Sequence, residues 1–333
     1  MSSHKQVSTE RQEMLAHIAE LYFVRGLNQS EIAERTSYSR SMISRLLTEA
    51  RNQGIVEIRI HHPLRRSIAL EGTLQRTFNL HDVRVVEASA THNGDALHRV
   101  GMMAAHLLGE LLREGITIGV SWGSALSATV DSMRQRFCPQ AHVVQMIGSL
   151  GTRLPNMDGA EIARQLARAI GATYTTLPAP MLVGDEGTRD GLLRDARIRE
   201  VFAQARRAAV ALLGIGAIEP AHSALVRAGF VKPRESLEMQ HAGAVGDVCA
   251  IPVDLHGRVL SLPISRRVIG VDAQTLSQIH TRIGIACGEV KVKPILGALR
   301  SRLINVLVTD EATASAVLKL NQETLSRAAE TNS

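Results

Sequence analysis

The chain has 333 residues, of which 45% are apolar and 21% charged, with a formal net charge of +6. That length and apolar share suit two or three globular domains and exclude disorder of the whole chain. No run reaches the roughly 20 apolar residues of a membrane span, and residues 1–13 lack the apolar block of a secretory leader, so a cytoplasmic location is expected.

The first element in chain order is a helix over Glu10–Arg25, in which Met14, Leu15, Ile18, Ala19, Leu21 and Tyr22 recur at helical spacing and Gly26 provides the stop. A short helix follows at Gln29–Arg35 with Ile32 and Ala33 inward, then a turn at Ser37–Tyr38. Ser39 is suited to cap a third helix reaching Asn52, closed by Gly54. In that helix Ile43, Leu46, Leu47 and Ala50 form one stripe, and Arg40, Ser41, Ser44, Arg45 and Thr48 fall on the opposite face. A helix built this way packs one side on a small core and offers the other to a DNA groove. Between Arg40 and Arg66 six arginines stand against Glu49 and Glu57, a basic patch that suits a phosphate backbone, where the plainer reading is a solvated surface. The alternation of Val56, Ile58 and Ile60 with Glu57, Arg59 and His61 predicts a strand over Ile55–His61, a wing or buttress to the helices.

Pro63–Arg66 reads as a linker and Ser67–Phe78 as a connecting helix. Beyond it the pattern turns to alternating strands and helices. Strands are expected at Val83–Val86, Ile116–Val120, Val143–Ile147, Thr173–Leu177, Ala209–Ile215, Val248–Val253, Ile283–Cys287 and Ile304–Val308. The clearest helices are Ala96–Leu112, Ile162–Ile170 and Glu311–Leu320, and the last dozen residues read as frayed. β-branched runs that are apolar on both faces indicate a parallel sheet covered by helices, hence an α/β domain.

The strand ends carry the chemistry. Six segments of glycine or small polar residues follow strands: Ser121–Ser124, Gly148–Gly151, Leu177–Pro180, Gly214–Ala217, Cys287–Lys291 and Thr309–Thr313. In open α/β sheets ligands sit outside the carboxyl ends of strands. A loop such as Trp122-Gly123-Ser124-Ala125 can offer backbone N–H groups, a hydroxyl and a helix dipole to an anion. Each glycine turn alone also serves ordinary chain reversal. Asp247 is placed to accept hydrogen bonds from sugar hydroxyls, or to cap a turn. Lys291 opens a helix, an electrostatically misplaced position that calls for an anionic partner on protein or ligand. Asp310 and Glu311 start the last helix, where N-capping accounts for them. Trp122, the only tryptophan, has two readings, a stacking surface for a sugar ring or a core residue. The 13 histidines show no HxH or HExxH spacing, and Cys138, Cys249 and Cys287 lie far apart, so neither a metal site nor a cofactor is expected and the cysteines read as free thiols.

Two functions compete. One is a DNA-binding regulator whose α/β domain senses a small anionic metabolite. The other is a phosphosugar isomerase-like enzyme with an accessory N-terminal helical domain, for which Asp247, Asp310 and Glu311 are the candidate bases. No nucleophile–base arrangement is visible.

The blocks QSEIAERTSYSRSMISRLLTEARNQGIVEIRI, GVSWGSAL, LPAP, LLGIG, AGAVGDV, ACGEVKVKPILGALR and INVLVTDEATA, in this order, resemble the sorbose-operon regulator (SorC) family of bacterial transcription factors, over nearly the whole chain. The resemblance implies a winged-helix-like helix-turn-helix in residues 1–62, a linker and connecting helix at 63–80, a Rossmann-like, sugar-isomerase-like effector and oligomerisation domain at 81–322, and a tail at 323–333. It implies a homotetramer on operator DNA, controlled by a sugar or sugar phosphate, and no catalysis. Residue by residue it places DNA contacts on Gln29, Tyr38, Ser39, Arg40, Ser41, Ser44 and Arg45, and effector contacts on Ser121, Trp122, Gly123, Ser124, Ala125, Gly148, Ser149, Asp247 and Lys291. Ala125 stands where members often carry a second hydroxyl, and Gly148–Gly151 lacks an arginine, although Arg153 is close. A singly phosphorylated or smaller effector is therefore expected.

Overall fold

The computed structural model describes residues 2–56, 64–87, 96–133, 137–151 and 155–331. The chain divides into two compact units, Met1–Pro63 and Leu64–Ser333.

The first unit consists of α1 (Ser2–Ala19), continued by a π-helical turn over Glu20–Val24, then α2 (Gln29–Arg35) and α3 (Arg40–Asn52). Leu15, Ile18, Ile32, Ile43, Leu46, Leu47 and Ala50 close into one small core, the stripe expected from the spacing. The start of α2 is set by a capping box: Asn28 Oδ1 accepts from the Ser30 and Glu31 amides, and Glu31 accepts from the Asn28 amide. The start of α3 is set by Ser39, whose hydroxyl accepts the Met42 N–H. A bidentate pair from Arg11 to Glu49 ties α1 to α3. Of the strand expected at Ile55–His61, Ile55 and Val56 turn back and donate to the Ala50 carbonyl. The rest of it, Arg59 included, lies outside the described residues, as do Pro63 of the linker and Arg153.

The second unit runs α4 (Ile68–Phe78), β1 (Asp82–Val86), α5 (Ala96–Leu111), β2 (Thr117–Val120), α6 (Ser124–Asp131), β3 (His142–Gln145), α7 (Gly159–Ile170), β4 (Thr173–Thr175), α8 (Glu186–Arg194), α9 (Ala196–Arg206), β5 (Val210–Ala217), α10 (Ala224–Arg227), α11 (Pro233–His241), β6 (Ala244–Val248), β7 (Ile251–Asp254), α12 (Ala273–Gln278), β8 (Thr281–Ile285), α13 (Val292–Arg300), β9 (Val306–Asp310) and α14 (Glu311–Thr331). Parallel strands pair in the order β1-β9-β8-β5-β2-β3-β4, with the antiparallel β6–β7 hairpin attached to the end of β5. Strand residues alternate between two cores: Ile118, Leu212, Ile283 and Val308 face the side of α5, α6 and α7, while Val85, Leu213 and Leu307 face the side of α4, α9, α13 and α14. Strand order reverses between the parallel β2 and β5, because β2, β3 and β4 step toward one edge and β5, β8 and β9 toward the other. That reversal is where such sheets open a crevice.

In the first unit α1 starts at Ser2 rather than Glu10, and in the second unit three elements differ from expectation. The connecting helix is α4, which packs on β1 and α14 within the second unit and buries Leu74 completely. Val248–Val253 is a hairpin rather than one strand, reversing at Cys249 and Ala250 with φ of 54° and 58°. The turn residues Cys249 and Ala250 carry no Asn-Gly signal, and Pro252, the one proline of the run, sits within β7 rather than in the turn. The tail is helical: α14 continues to Thr331, because Asn321 is buried and Arg300 donates to Asn321 Oδ1 and the Thr324 hydroxyl.

Candidate functional site

The carboxyl ends of β2, β5 and β8 converge at the reversal. After β2, Gly123 holds φ of 119°, open to glycine and strained for other residues, and N-caps α6. Its N–H donates to the Met157 carbonyl, which fixes the loop. The next two amides, of Ser124 and Ala125, meet no acceptor among the described residues. They are orphan donors at a helix N-terminus, the arrangement that receives an anion. The Ser124 side chain is exposed.

The other predicted residues of this loop face the protein. Ser121 is 1% exposed and its hydroxyl accepts from the Gly214 amide, tying β2 to β5. Trp122 belongs to the main core, so its ring is a packing residue. Ala125 is also buried.

Across β5, the Lys291 ammonium donates to the Ile215 carbonyl at 2.7 Å. Burial pushes its pKa down, the Asp247 charge opposes that, and the Arg227 charge adds to it. Asp247 lies on β6 and is fully enclosed. One carboxylate oxygen accepts the Ala250 N–H at 3.0 Å, and the other sits 1.9 Å from where a Cβ on Gly216 would lie. Only glycine at 216 lets the carboxylate lean on the β5 backbone. Burial raises the Asp247 pKa, against the pull of Lys291 and of the Ala250 N–H. Asp247 thus acts on Lys291 through its charge, while the direct contact of the ammonium is the Ile215 carbonyl. Cys249, beside Asp247, is pushed up to about 12 by burial and by that carboxylate, which leaves an inert thiol.

Gly148 and Ser149 lie at the end of neighbouring β3. Gly148 packs on the Pro180 backbone, and Ser149 exchanges backbone hydrogen bonds with Ala179 and Met181. With Leu177, Pro178, Pro180 and Phe230, Ser149 lines a cleft of ≈ 480 Å³, and Gly148 stands just behind it. Buried Gln145 braces it, donating to Ser149 Oγ and accepting from the Leu177 amide. Asp158 accepts from the Gly151 and Ala160 amides. Gln145, Asp158 and Arg227 lie outside every motif singled out in the sequence, and Gly216 and Thr313 stand there only as members of Gly214–Ala217 and Thr309–Thr313. Asp158 ahead of Gly-Ala-Glu was open to reading as an N-cap, whereas Gln145 inside an apolar strand gave no signal.

In the first unit Arg40, Ser41, Ser44 and Arg45 are exposed on one face of α3, and neither arginine makes an ion pair among the described residues. Gln29 is half-buried. Ser39 is occupied as a cap and shares a hydrogen bond with Ser41. Tyr38 is half-buried, with its hydroxyl on Met14 Sδ, so it buttresses the helix pair.

Comparison with known proteins decides between the two readings. The family model "Putative sugar-binding domain" matches residues 62–319. The transcriptional regulator LsrR of Enterobacter sp. (strain 638) is 35% identical over 93% of this chain and 94% of its own. The sorbitol operon regulator of Klebsiella pneumoniae is 31% identical over 92% and 98%. The chain belongs to the SorC family. The full-length sorbitol operon regulator SorC from Klebsiella pneumoniae superposes with a TM-score of 0.72, at 29% identity, over 92% of this chain and 98% of that one. This SorC-family chain is accordingly a transcriptional regulator carrying a sugar-binding domain, and not an isomerase. Its Asp310, once a candidate base, accepts both the N–H and the hydroxyl of Thr313 as a helix cap. Among the described residues no helix is long and apolar enough to cross a membrane.

Proposed function

We propose that this regulator binds operator DNA in the cytoplasm through α3 and is controlled by a small singly phosphorylated sugar held at the β2–β5 crevice. The phosphate is received by the Ser124 and Ala125 amides and the Ser124 hydroxyl, with Lys291 as the nearby cation. Gly148 and Ser149 border the sugar, and Asp247 holds the Lys291 charge in place beside it. The observation that carries this reading is the pair of amides at the α6 N-terminus without an acceptor among the described residues, at the point where the strand order reverses, across β5 from a half-buried lysine. A single hydroxyl in the loop supports one phosphate rather than two.

On the DNA side, Arg40, Ser41, Ser44 and Arg45 are the groove-facing residues and Gln29 a backbone contact. Assembly as a dimer of dimers would present several such faces to a repeated operator. A thermal-shift screen of pentose and hexose monophosphates tests the sensing half, since a ligand of the native state raises its melting temperature by mass action. Sugar monophosphates should stabilise the protein more than the unphosphorylated sugars. Equal stabilisation by both would contradict the phosphate assignment. For the DNA half, Arg45→Ala should weaken operator binding by about 1–3 kcal/mol if the contact is to a base edge, read by fluorescence anisotropy. A change confined to a flatter salt dependence would make it a backbone contact instead.

A further inference from the structure

The chain enters the sensing unit at Leu64, and the residues that follow are pinned to the outer edge of β1. Arg66 forms an antiparallel bridge with Val86; the Ser67 amide donates to Val85 O, and the Glu87 amide to Arg65 O, each at 3.0 Å. The Arg66 guanidinium closes a bidentate pair with Glu71, at 2.8 and 2.7 Å. Glu71 is itself buried and accepts the Val85 N–H at 2.8 Å. This entry segment is the covalent route from the DNA-binding unit into the sensor.

On its other side β1 pairs with β9, and the residue opposite Val86 is Asp310. Asp310 accepts the Thr313 N–H and hydroxyl, both at 2.9 Å. The Thr313 oxygen in turn accepts the Gly288 N–H at 2.7 Å. Thr313 is 2% exposed, so this bond faces little competition from water. Gly288 begins the Gly288–Lys291 turn that carries the effector-site lysine.

We propose that Thr313 is a coupling residue, which links the Gly288–Lys291 turn to the entry segment Arg65–Ser67 through Asp310 and Val86. The physical reason is that every joint in this series is a hydrogen bond or a strand pairing. A shift of the turn toward an anion either breaks the Gly288–Thr313 bond or carries the Asp310 end of β9 with it. β9 is hydrogen-bonded to β1, and β1 to the segment that leads into the DNA-binding unit. The Asp310 and Thr313 pair thus does more than cap α14. The inference rests on the proposed effector site only for what moves the turn; the linkage itself holds without ligand, and coupling acts in both directions.

Amide hydrogen exchange on the full-length protein tests it, with Thr313→Val, which removes the acceptor, and Thr313→Ser, which keeps it. Without ligand, Thr313→Val should speed exchange roughly three- to tenfold at Gly288 and also at Ser67 and Glu87, while β2 and β3 stay as in the wild type and Thr313→Ser restores all three sites. Glu71→Gln, altering the far end, should in turn speed exchange at Gly288. Acceleration at Gly288 alone, with Ser67 and Glu87 unchanged, overturns the coupling. Inorganic phosphate is the probe for the loaded state. It should slow exchange at residues 288–291 and 65–67 in the wild type, and at 288–291 alone in Thr313→Val. Slowing at 288–291 without 65–67 in the wild type keeps the site and overturns the coupling. No slowing at 288–291 counts against the site, and the ligand-free comparison then decides the coupling by itself.

Discussion

The buried Asp247 and the half-buried Lys291 act on each other through their charges, under opposing forces. Each is penalised by burial and relieved by the other. Removing one partner leaves an unmatched buried charge, which is worse than removing both. Asp247→Asn and Lys291→Met should therefore each destabilise the protein, and the double variant should recover part of the loss, with a coupling of about 1–3 kcal/mol in urea unfolding. Additive effects would mean that the charges do not interact. The pH dependence follows from the sign of the Asp247 shift. Its folded-state pKa lies above the ordinary carboxylate value, so the folded protein binds more protons than the unfolded chain in the interval between them. Its contribution is thus fully present below the ordinary value and is lost as pH rises through the folded value. Lys291→Met removes the charge that holds this shift down, so stability should fall over a wider pH interval in that variant than in the wild type. A narrower interval would contradict the pairing.

Among the elements, the sequence was most legible where the local signal and the packing agree. Residues 28–54 state their helices through the Asn28 and Ser39 caps, the Gly54 stop and the Ile43–Ala50 stripe, and α2 and α3 form within those limits. The parallel strands were equally plain as β-branched runs, though their ends shift by a residue or two. The β6–β7 hairpin was not legible. Its turn places Cys249 and Ala250 in left-handed conformations that neither side chain favours; burial of both residues holds it, with the local Asp247 bond to the Ala250 N–H. The same hairpin places Asp247 against Gly216, so this part of the site was hidden with it. Ala250→Gly should relieve the strain and stabilise the protein by up to about 1 kcal/mol in urea denaturation. A loss of stability would indicate that the methyl group's packing outweighs the backbone term. Trp122 illustrates the opposite limit. The sequence placed it in the right loop, but only the packing could say that its ring belongs to the core.

The whole molecule joins an exposed arginine face on α3 to a crevice with two amides that meet no acceptor among the described residues and a half-buried lysine. The order of motifs along the chain made the two-part plan readable, because the helical period of the first part and the strand–helix alternation of the second are separate signals. The identity of the sugar was not readable, since the crevice is built largely from backbone groups and small side chains that carry little chemical signature. The central claim is that DNA binding answers to the occupant of this crevice. The direct measurement is gel retardation of promoter DNA taken from beside the chain's own gene, across a panel of sugar monophosphates, for the wild type and Lys291→Ala. A sugar monophosphate should shift the wild-type midpoint by about tenfold, in the usual range of allosteric coupling. Lys291→Ala should bind the DNA with the wild-type midpoint and not respond. An equal response from Lys291→Ala, or no retention of the DNA by either protein, would contradict the account.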